Sequence, residues 1–346
     1  MRSFGLALSG FALAAALAAC GGGSSVITPS PSPSPSVSPT PTPTGYTEYP
    51  VPTANSFPYG ITVGSDNNLW FTEEAANKIG RITVAGVITE YPIPTASSAP
   101  YGITAGPDGN LWFTESNGNK IGKITVSGTF SEITVPTASS QPRGITAGPD
   151  GNIWFTEWGA GKIGRVNLTS GSISEFTIPT NGAEPVSIAA GSDGNLWFTE
   201  SLTSKIGQIT PAGGITEFTT PTIGSGPSFI TPGPPGSNTL WFTEYTIGRV
   251  AQITTGGTIT EYPLPTVSGS QPNGIVYAPP TSSFWVLESG KGQVANVVPT
   301  PSATPTITEY GILTPNSYPT TGVIGPDNAL WFTETNANKI GRRTIP

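Results

Sequence analysis

The sequence contains no histidine, and this absence excludes several kinds of chemistry at once. Without an imidazole the chain cannot build a Ser-His-Asp triad, a His-ligated zinc site or a histidine general base. The single cysteine excludes intramolecular disulfides, CxxC redox chemistry and cysteine clusters. No phosphate-binding loop or nucleophile motif is legible, and the many Ser and Thr residues have no base to activate them.

Charge is also scarce: only 10% of the 346 residues are charged, and the formal net charge is −7. The chain has no basic surplus to neutralise phosphates, so we expect no nucleic-acid partner. Its length would usually suggest two domains, with one large all-β domain as the main exception. The 44 glycines and 37 prolines favour a single all-β domain, because this composition suits short strands joined by turns and disfavours long helices.

Residues 1–20 have the features of a secretory signal, with Arg2 before an apolar stretch too short for a comfortable membrane span. The stretch ends in Leu17-Ala18-Ala19-Cys20, which resembles the bacterial lipoprotein signal and implies lipidation of Cys20. The alternative is an ordinary signal peptide with a chance cysteine. We expect an exported protein at the bacterial cell envelope, at the outer membrane or cell surface. The lipid anchor would be its only attachment to the membrane.

Residues 21–44 are rich in Gly and Ser and then alternate Pro with Ser or Thr. Such a segment cannot bury a core and favours extended polyproline II structure. We interpret it as a stalk. The alternative is a disordered linker, which would have much the same effect. The folded domain is therefore expected over residues 45–346.

A repeat of 42 to 46 residues fills the rest of the chain, and each copy has a Trp in a short apolar run: Trp70, Trp112, Trp154, Trp197, Trp241, Trp285 and Trp331. This period predicts a seven-bladed β-propeller with four antiparallel strands per blade. In the second repeat we predict strands at 101–106, 111–115, 120–126 and 130–136. The N-terminal strand 46–52 is expected to close the last blade beside residues 339–345, which leaves no open sheet edge.

The second repeat contains the segments 101–104 (YGIT), 106–115 (GPDGNLWFTE) and 119–125 (NKIGKIT), with 88–95 (ITEYPIPT) before them. These segments resemble the virginiamycin B lyase (streptogramin lyase) family, and the likeness recurs over residues 46–346. The resemblance implies a seven-bladed propeller. It also implies an enzyme that linearises cyclic streptogramins by elimination at their ester bond, using Mg²⁺ and a histidine base.

The family's catalytic blades carry Glu-Pro-His-Gly-Ile and then Trp-Phe-x-x-Glu, and one blade here comes close to both. Glu184 and Glu200 stand where the resemblance places the metal-binding acids, but Val186 stands where it places the histidine. The second family histidine would fall at Arg143 or Ser228. No catalytic residue is therefore assigned, and no cofactor is expected unless Mg²⁺ binds at Glu184 and Glu200.

Most acidic residues recur in every repeat, which indicates a structural role. Each second strand ends in Glu, and a Lys or Arg follows five residues later in six repeats. We expect these residues to pair across a hairpin. The alternative is a ring of seven Glu that attracts cations at one mouth of the channel.

Residues that vary between repeats are more informative, because varied side chains on a constant frame are typical of a binding face. First strands begin where second strands end, so one rim should collect such residues, including Val186 and Thr320. We predict a ligand rim formed by Tyr59, Tyr101, Arg143, Trp158, Ser228, Tyr245 and Asn273. The alternative is that this rim binds nothing and that its residues vary neutrally. We expect a monomeric recognition module for a small molecule, peptide or envelope polymer; the rival is a C–O lyase with an unusual base.

Overall fold

The computed structural model describes residues 45–300 and 303–345, and these residues form seven four-stranded antiparallel sheets. The predicted all-β, seven-bladed propeller is confirmed. The only helical element in the described part is a single 3₁₀ turn at Pro279–Thr281, so no helix there is long and apolar enough to cross a membrane. The predicted signal 1–20, with Cys20, and the stalk 21–44 lie outside the described residues.

Each blade contributes one strand to each of four concentric positions. The first strands are β2 (Pro58–Val63), β6 (Pro100–Ala105), β10 (Pro142–Ala147), β14 (Pro185–Ala190), β18 (Pro227–Pro232), β22 (Pro272–Ala278) and β26 (Pro319–Ile324). The second strands are β3 (Leu69–Glu73), β7 (Leu111–Glu115), β11 (Ile153–Glu157), β15 (Leu196–Glu200), β19 (Thr239–Glu244), β23 (Ser283–Glu288) and β27 (Leu330–Glu334).

The outer two positions complete the sheets. The third strands are β4 (Lys78–Ile82), β8 (Lys120–Ile124), β12 (Lys162–Val166), β16 (Lys205–Ile209), β20 (Arg249–Thr254), β24 (Gln293–Thr300) and β28 (Lys339–Arg343). The fourth strands are β5 (Ile88–Pro92), β9 (Phe130–Thr134), β13 (Ile173–Thr177), β17 (Ile215–Thr219), β21 (Ile259–Pro263), β25 (Ala303–Gly311) and, at the beginning of the chain, β1 (Tyr46–Pro50).

The N-terminal strand closes the ring as predicted. β1 pairs antiparallel with β28, with Tyr46 opposite Arg343 and Pro50 opposite Lys339. The strand ends at Pro50, two residues before the predicted end, although the N–H of Val51 still donates to the carbonyl of Asn338. First strands of neighbouring blades contact one another in an unbroken circle, so they line a channel along the ring axis.

The second strands form the core between blades. Five of the seven repeat tryptophans are fully buried, and the other two are 2–3% exposed. In five blades the indole N–H donates to a turn aspartate, as Trp70 does to Asp66 at 3.0 Å. Gly80 shows why glycine follows in the third strand: a Cβ there would lie 2.1 Å from the ring of Phe71. Five blades have glycine at this position, and Ala251 and Ala295 occupy it in the other two.

The predicted ion pair between the second-strand Glu and the third-strand Lys is wrong, because the Lys contacts a different Glu. Glu73 does lie opposite Lys78 in register, but the Nζ atom of Lys78 contacts Glu90 of the fourth strand at 2.9 Å. Glu90 also accepts hydrogen bonds from Thr53 in the preceding linker. Lys78 keeps 27% of its side chain exposed, and pairing with a buried Glu73 would remove that hydration. The contact ties each blade to the linker before it.

The seven second-strand glutamates are buried rather than gathered around an open mouth. All seven are 0% exposed: Glu73, Glu115, Glu157, Glu200, Glu244, Glu288 and Glu334. Burial, with the nearby charge of Glu90, raises the pKa of Glu73 to about 8. The same causes, with Glu132 as the neighbour, raise the pKa of Glu115 to about 7. These side chains are closed to solvent, which argues against the cation-attracting ring.

Candidate functional site

A β-bulge at the start of every first strand positions the rim residues. Pairing between first and second strands is in register at Pro142 and resumes at Ile145, so Arg143 and Gly144 lie outside the ladder. All seven blades show this shift. A bulge reorients its side chains, which explains why the variable residues of all blades occupy equivalent positions at one end of the channel.

A buried threonine of the second strand holds these bulges together. The hydroxyl of Thr72 accepts a hydrogen bond from the N–H of Gly60 at 2.8 Å. It also donates to the carbonyl of Tyr101 in the next blade, again at 2.8 Å. Equivalent contacts recur in five other blades through Thr114, Thr156, Thr199, Thr243 and Thr333. The frame that carries the rim is therefore cross-linked around the ring, a role that the repeated Thr did not reveal in sequence.

A cavity of about 280 Å³, here called the rim cavity, opens between the bulges and the second-strand ends. Its walls include six of the seven predicted rim residues: Tyr59, Tyr101, Arg143, Ser228, Tyr245 and Asn273. Val186 also lines it, as does Tyr318, which the sequence analysis missed. Tyr318 precedes the first-strand proline and has a left-handed backbone, φ 59°, so no strand periodicity pointed to it. The structure thus brings the predicted rim residues together around one space.

Trp158 does not line the cavity but supports a residue that does. The guanidinium carbon of Arg143 lies 3.9 Å from the centroid of the Trp158 ring and 5.4 Å from that of Tyr101. Such cation–π contacts hold an arginine in place while its N–H groups stay free to donate. The side chain of Arg143 has no hydrogen bond or ion pair with any described residue, and its Nε atom is buried without a partner. The cavity therefore contains an oriented, unpaired cation.

Six other polar side chains of the rim cavity form three hydrogen-bonded pairs. The hydroxyl groups of Tyr59 and Tyr101 are hydrogen-bonded, and their ring centroids lie 3.9 Å apart. Tyr245 and Tyr318 share a hydrogen bond of 3.0 Å. The Ser228 hydroxyl donates to Oδ1 of Asn273 at 3.0 Å. Burial is the largest cause that raises the pKa of Tyr59, Tyr101 and Tyr245 above 10, so these phenols keep their protons at neutral pH.

Below the rim cavity lies the mouth of the axial channel, a second cavity of about 150 Å³. The two cavities share the side chains of Tyr59, Tyr101 and Val186. The channel wall is mainly aliphatic and includes Ile61, Ile103, Ile145, Ile188 and Ile275. These isoleucines keep 5–9% exposure, unlike most of the blade core at 0%. The tyrosine pair therefore lies between a polar space and an apolar one.

The two acids predicted to bind metal are not walls of the rim cavity. Pro185 is the register partner of Glu200, so Glu184 precedes the position opposite that residue. Glu200 is 0% exposed, and its Oε2 atom accepts a hydrogen bond from Thr203 at 2.7 Å. Burial raises the pKa of Glu200 to about 7. Glu184 is half-buried with a left-handed backbone, φ 47°.

These environments do not fit a Mg²⁺ site at the rim, because a hard cation needs carboxylate oxygens that it can reach with its waters. Within residues 45–300 and 303–345, no cluster of three or more His, Cys, Asp or Glu side chains is placed to bind a metal. We therefore derive no chemical step through a metal. The assignment of Glu184 and Glu200 as ligands stays a prediction from resemblance.

The geometry defines a closed seven-bladed propeller with one donor-rich cavity at the end of its axial channel. The chain belongs to the virginiamycin B lyase family, which it matches over residues 40–185 and 167–346. A curated virginiamycin B lyase from Bacillus licheniformis is 52% identical over 42 residues, 12% of this chain and 14% of that protein. In that match the chain spans well under two thirds of the relative's length.

Solved structures extend the likeness to nearly the whole propeller. Virginiamycin B lyase from Staphylococcus aureus is 39% identical, with a TM-score of 0.80, over 87% of this chain and 99% of that one. A streptogramin B lyase structure is 36% identical, with a TM-score of 0.81, over 87% and 97%. A catalytically inactive His→Ala variant of the S. aureus enzyme, in a structure with quinupristin, is 38% identical, with a TM-score of 0.80. It covers 87% of this chain and 99% of that one.

Proposed function

We propose that this protein is a non-catalytic recognition module that binds a ligand in the rim cavity. The observation that carries the proposal is chemical: the cavity is lined by a cation, hydroxyl groups and an amide, and no imidazole exists in the chain. Elimination needs a base poised near the operating pH, and a positioned base typically contributes about 10²–10⁴-fold. Val186, at the family histidine position, is 7% exposed and supplies no proton acceptor.

The related structures are consistent with binding that does not require turnover. The S. aureus relative with quinupristin is a catalytically inactive variant in which alanine replaces a histidine. In this chain an aliphatic valine stands where the resemblance places the family histidine, on a propeller frame that the relatives share.

The expected partner is a small molecule, a peptide or an envelope polymer that presents a ring to the tyrosines. Aromatic walls beside a few fixed polar groups are the usual construction of a small-ligand site. We further propose that the mature protein is anchored through lipidated Cys20, with residues 21–44 as the spacer that holds the propeller away from the membrane. That part of the proposal rests on the sequence alone.

A thermal-shift screen of cyclic depsipeptides, oligosaccharides and peptides against the purified full chain tests the proposal. A bound ligand raises the unfolding midpoint by mass action. Tyr245→Phe removes a rim hydroxyl, so it should weaken a true rim ligand. Tyr262→Phe is the matched control, because Tyr262 stacks on Trp241 outside the cavity. Hits that both variants bind equally well would count against rim recognition.

A further inference from the structure

Arg143 is one of four described Lys and Arg side chains without an ion pair, and of these four it alone lines the rim cavity. Nine other described Lys and Arg side chains form ion pairs within 4.0 Å of a carboxylate. Arg143 forms none, although the chain as a whole has a net charge of −7. A cation left unpaired in an acidic protein is available to a ligand, since most others are already neutralised.

Glu74 is an acid that interacts electrostatically with Arg143, Tyr59 and Tyr101. It does not form an ion pair with Arg143, and it lines a neighbouring surface cavity with Phe57 and Ser97 instead. No Asp or Glu is among the residues that line the rim cavity. A negative group that entered the rim cavity would therefore meet a cation and would not meet a carboxylate in the wall.

The other walls strengthen this preference for a negative group. Asn273 accepts from Ser228 through Oδ1, and its amide nitrogen donates to no described residue. The tyrosine hydroxyl groups remain protonated, as described above. Arginine can present two parallel N–H donors to one carboxylate, and charge-assisted hydrogen bonds of this kind are roughly twice as strong as neutral ones. Stacking on Trp158 fixes the plane of the guanidinium before the ligand arrives.

The axial channel determines what the rest of that ligand can be. A cavity of about 150 Å³ with aliphatic and aromatic side chains in its wall is large enough for a benzene-sized group. The channel has about this volume, and Phe229 joins the isoleucines in its wall. Because the channel and the rim cavity share the tyrosine pair, one molecule can occupy both.

We infer that the rim site takes a small aromatic or branched aliphatic carboxylic acid, with its carboxylate on Arg143 and its apolar group in the axial channel. This inference rests on the proposed binding function and names its ligand class. Arg143 recognises the charge of the ligand, and Trp158 positions Arg143. The isoleucines of the channel wall recognise the shape of the apolar group.

Calorimetric titration of the full chain with benzoate, benzamide and acetate tests the inference. Benzoate should bind at least about tenfold more tightly than benzamide, which lacks the charge, because hydrogen bonds to charged groups are the stronger class. Acetate lacks the ring and should be weaker than benzoate by a similar factor. Equal affinity for benzoate and benzamide would overturn the inference. So would the lack of saturation up to about 50 mM benzoate, above the Kd expected for a fragment of this size.

Three variants make the test specific to Arg143. Arg143→Gln should lose the preference for benzoate over benzamide while still binding benzamide, which also shows that it is folded. Arg165→Gln is the matched control, because Arg165 stacks on Trp154 and contacts Asp150 outside the cavity. Glu74→Gln should bind benzoate as well as or more tightly than the unmodified chain. Unchanged benzoate binding in Arg143→Gln would contradict the inference. A neutral rim ligand from the screen, weakened by Tyr245→Phe, would leave the broader binding function intact.

Discussion

Glu48 and Lys339 lie 291 residues apart in sequence, and the Nζ atom of Lys339 donates to Oε2 of Glu48 at 2.5 Å. The same contact joins Glu90 to Lys78 within one continuous stretch of chain. Thr314 completes the closing contact as Thr53 completes the internal one. The junction between the chain ends therefore repeats the internal blade chemistry and makes the ring continuous.

Removal of residues 45–52 deletes strand β1 and leaves β28 as an exposed sheet edge. The loss of this strand should cost several kcal/mol and lower the melting temperature by at least about 10 °C. Calorimetry of the truncated and full chains measures the effect. Glu48→Gln and Glu90→Gln form a matched pair and should destabilise the protein about equally. A truncated protein that melts within about 2 °C of the full chain would show that β1 does not close the ring.

The buried glutamates predict an unusual dependence of stability on pH. The pKa values of Glu73, Glu157, Glu244 and Glu288 are raised to about 8, and those of Glu115, Glu200 and Glu334 to about 7, chiefly by burial. The unfolded chain ionises them near pH 4.5. The folded state therefore holds more protons between these values. Their stabilisation is complete below pH 4.5 and is lost as the pH rises through 7 to 8.

Guanidinium unfolding at pH 5 and pH 8 should thus give a larger free energy of unfolding at pH 5. Glu115→Gln mimics the protonated acid, so it should gain stability relative to the unmodified chain as the pH rises. Glu132→Gln is the control for a carboxyl group whose pKa is shifted in the opposite direction. Burial opposes ionisation of Glu132, but hydrogen bonds from Lys120 and Thr95 outweigh it and lower its pKa. Equal stability at both pH values would refute the argument.

The blade count and ring closure could be predicted because they follow from periodicity. Tryptophans recur at a fixed interval, and the unpaired strands at the two ends complement each other. The partner of Lys78 could not be predicted, since Glu73 and Glu90 are both within reach of it across neighbouring strands. Which acid it contacts depends on burial, because Glu73 is fully buried whereas the Glu90 side chain keeps 14% of its surface exposed.

Part of the rim could also be predicted from the periodicity of the strands. Strand direction placed Tyr101, Arg143 and Asn273 at one end of the channel, and the structure gathers them around one cavity. The bulge that reorients them leaves no trace in a two-residue alternation. The apolar channel arises only when isoleucines of five blades meet at the axis. Tyr318 lies in a turn, outside any periodic segment.

Membrane attachment should depend on one residue. Cys20→Ser removes the predicted lipid acceptor, so most of the protein should move from the membrane pellet to the soluble fraction. Multiple acyl chains are needed for stable anchoring. Fractionation after a salt wash, followed by immunoblotting, measures the distribution. A variant that still pellets with membranes would rule out a lipid anchor at Cys20.

The central claim is that this member of a lyase family binds without catalysing elimination, and one assay tests it most directly. The purified full chain is incubated with quinupristin and Mg²⁺, and linear product is quantified by mass spectrometry, with the S. aureus lyase as the positive control. The absence of a base in the rim cavity predicts no product above that of a protein-free sample. Linear product that accumulates with the protein and disappears in Glu200→Gln would contradict the account and establish an active lyase.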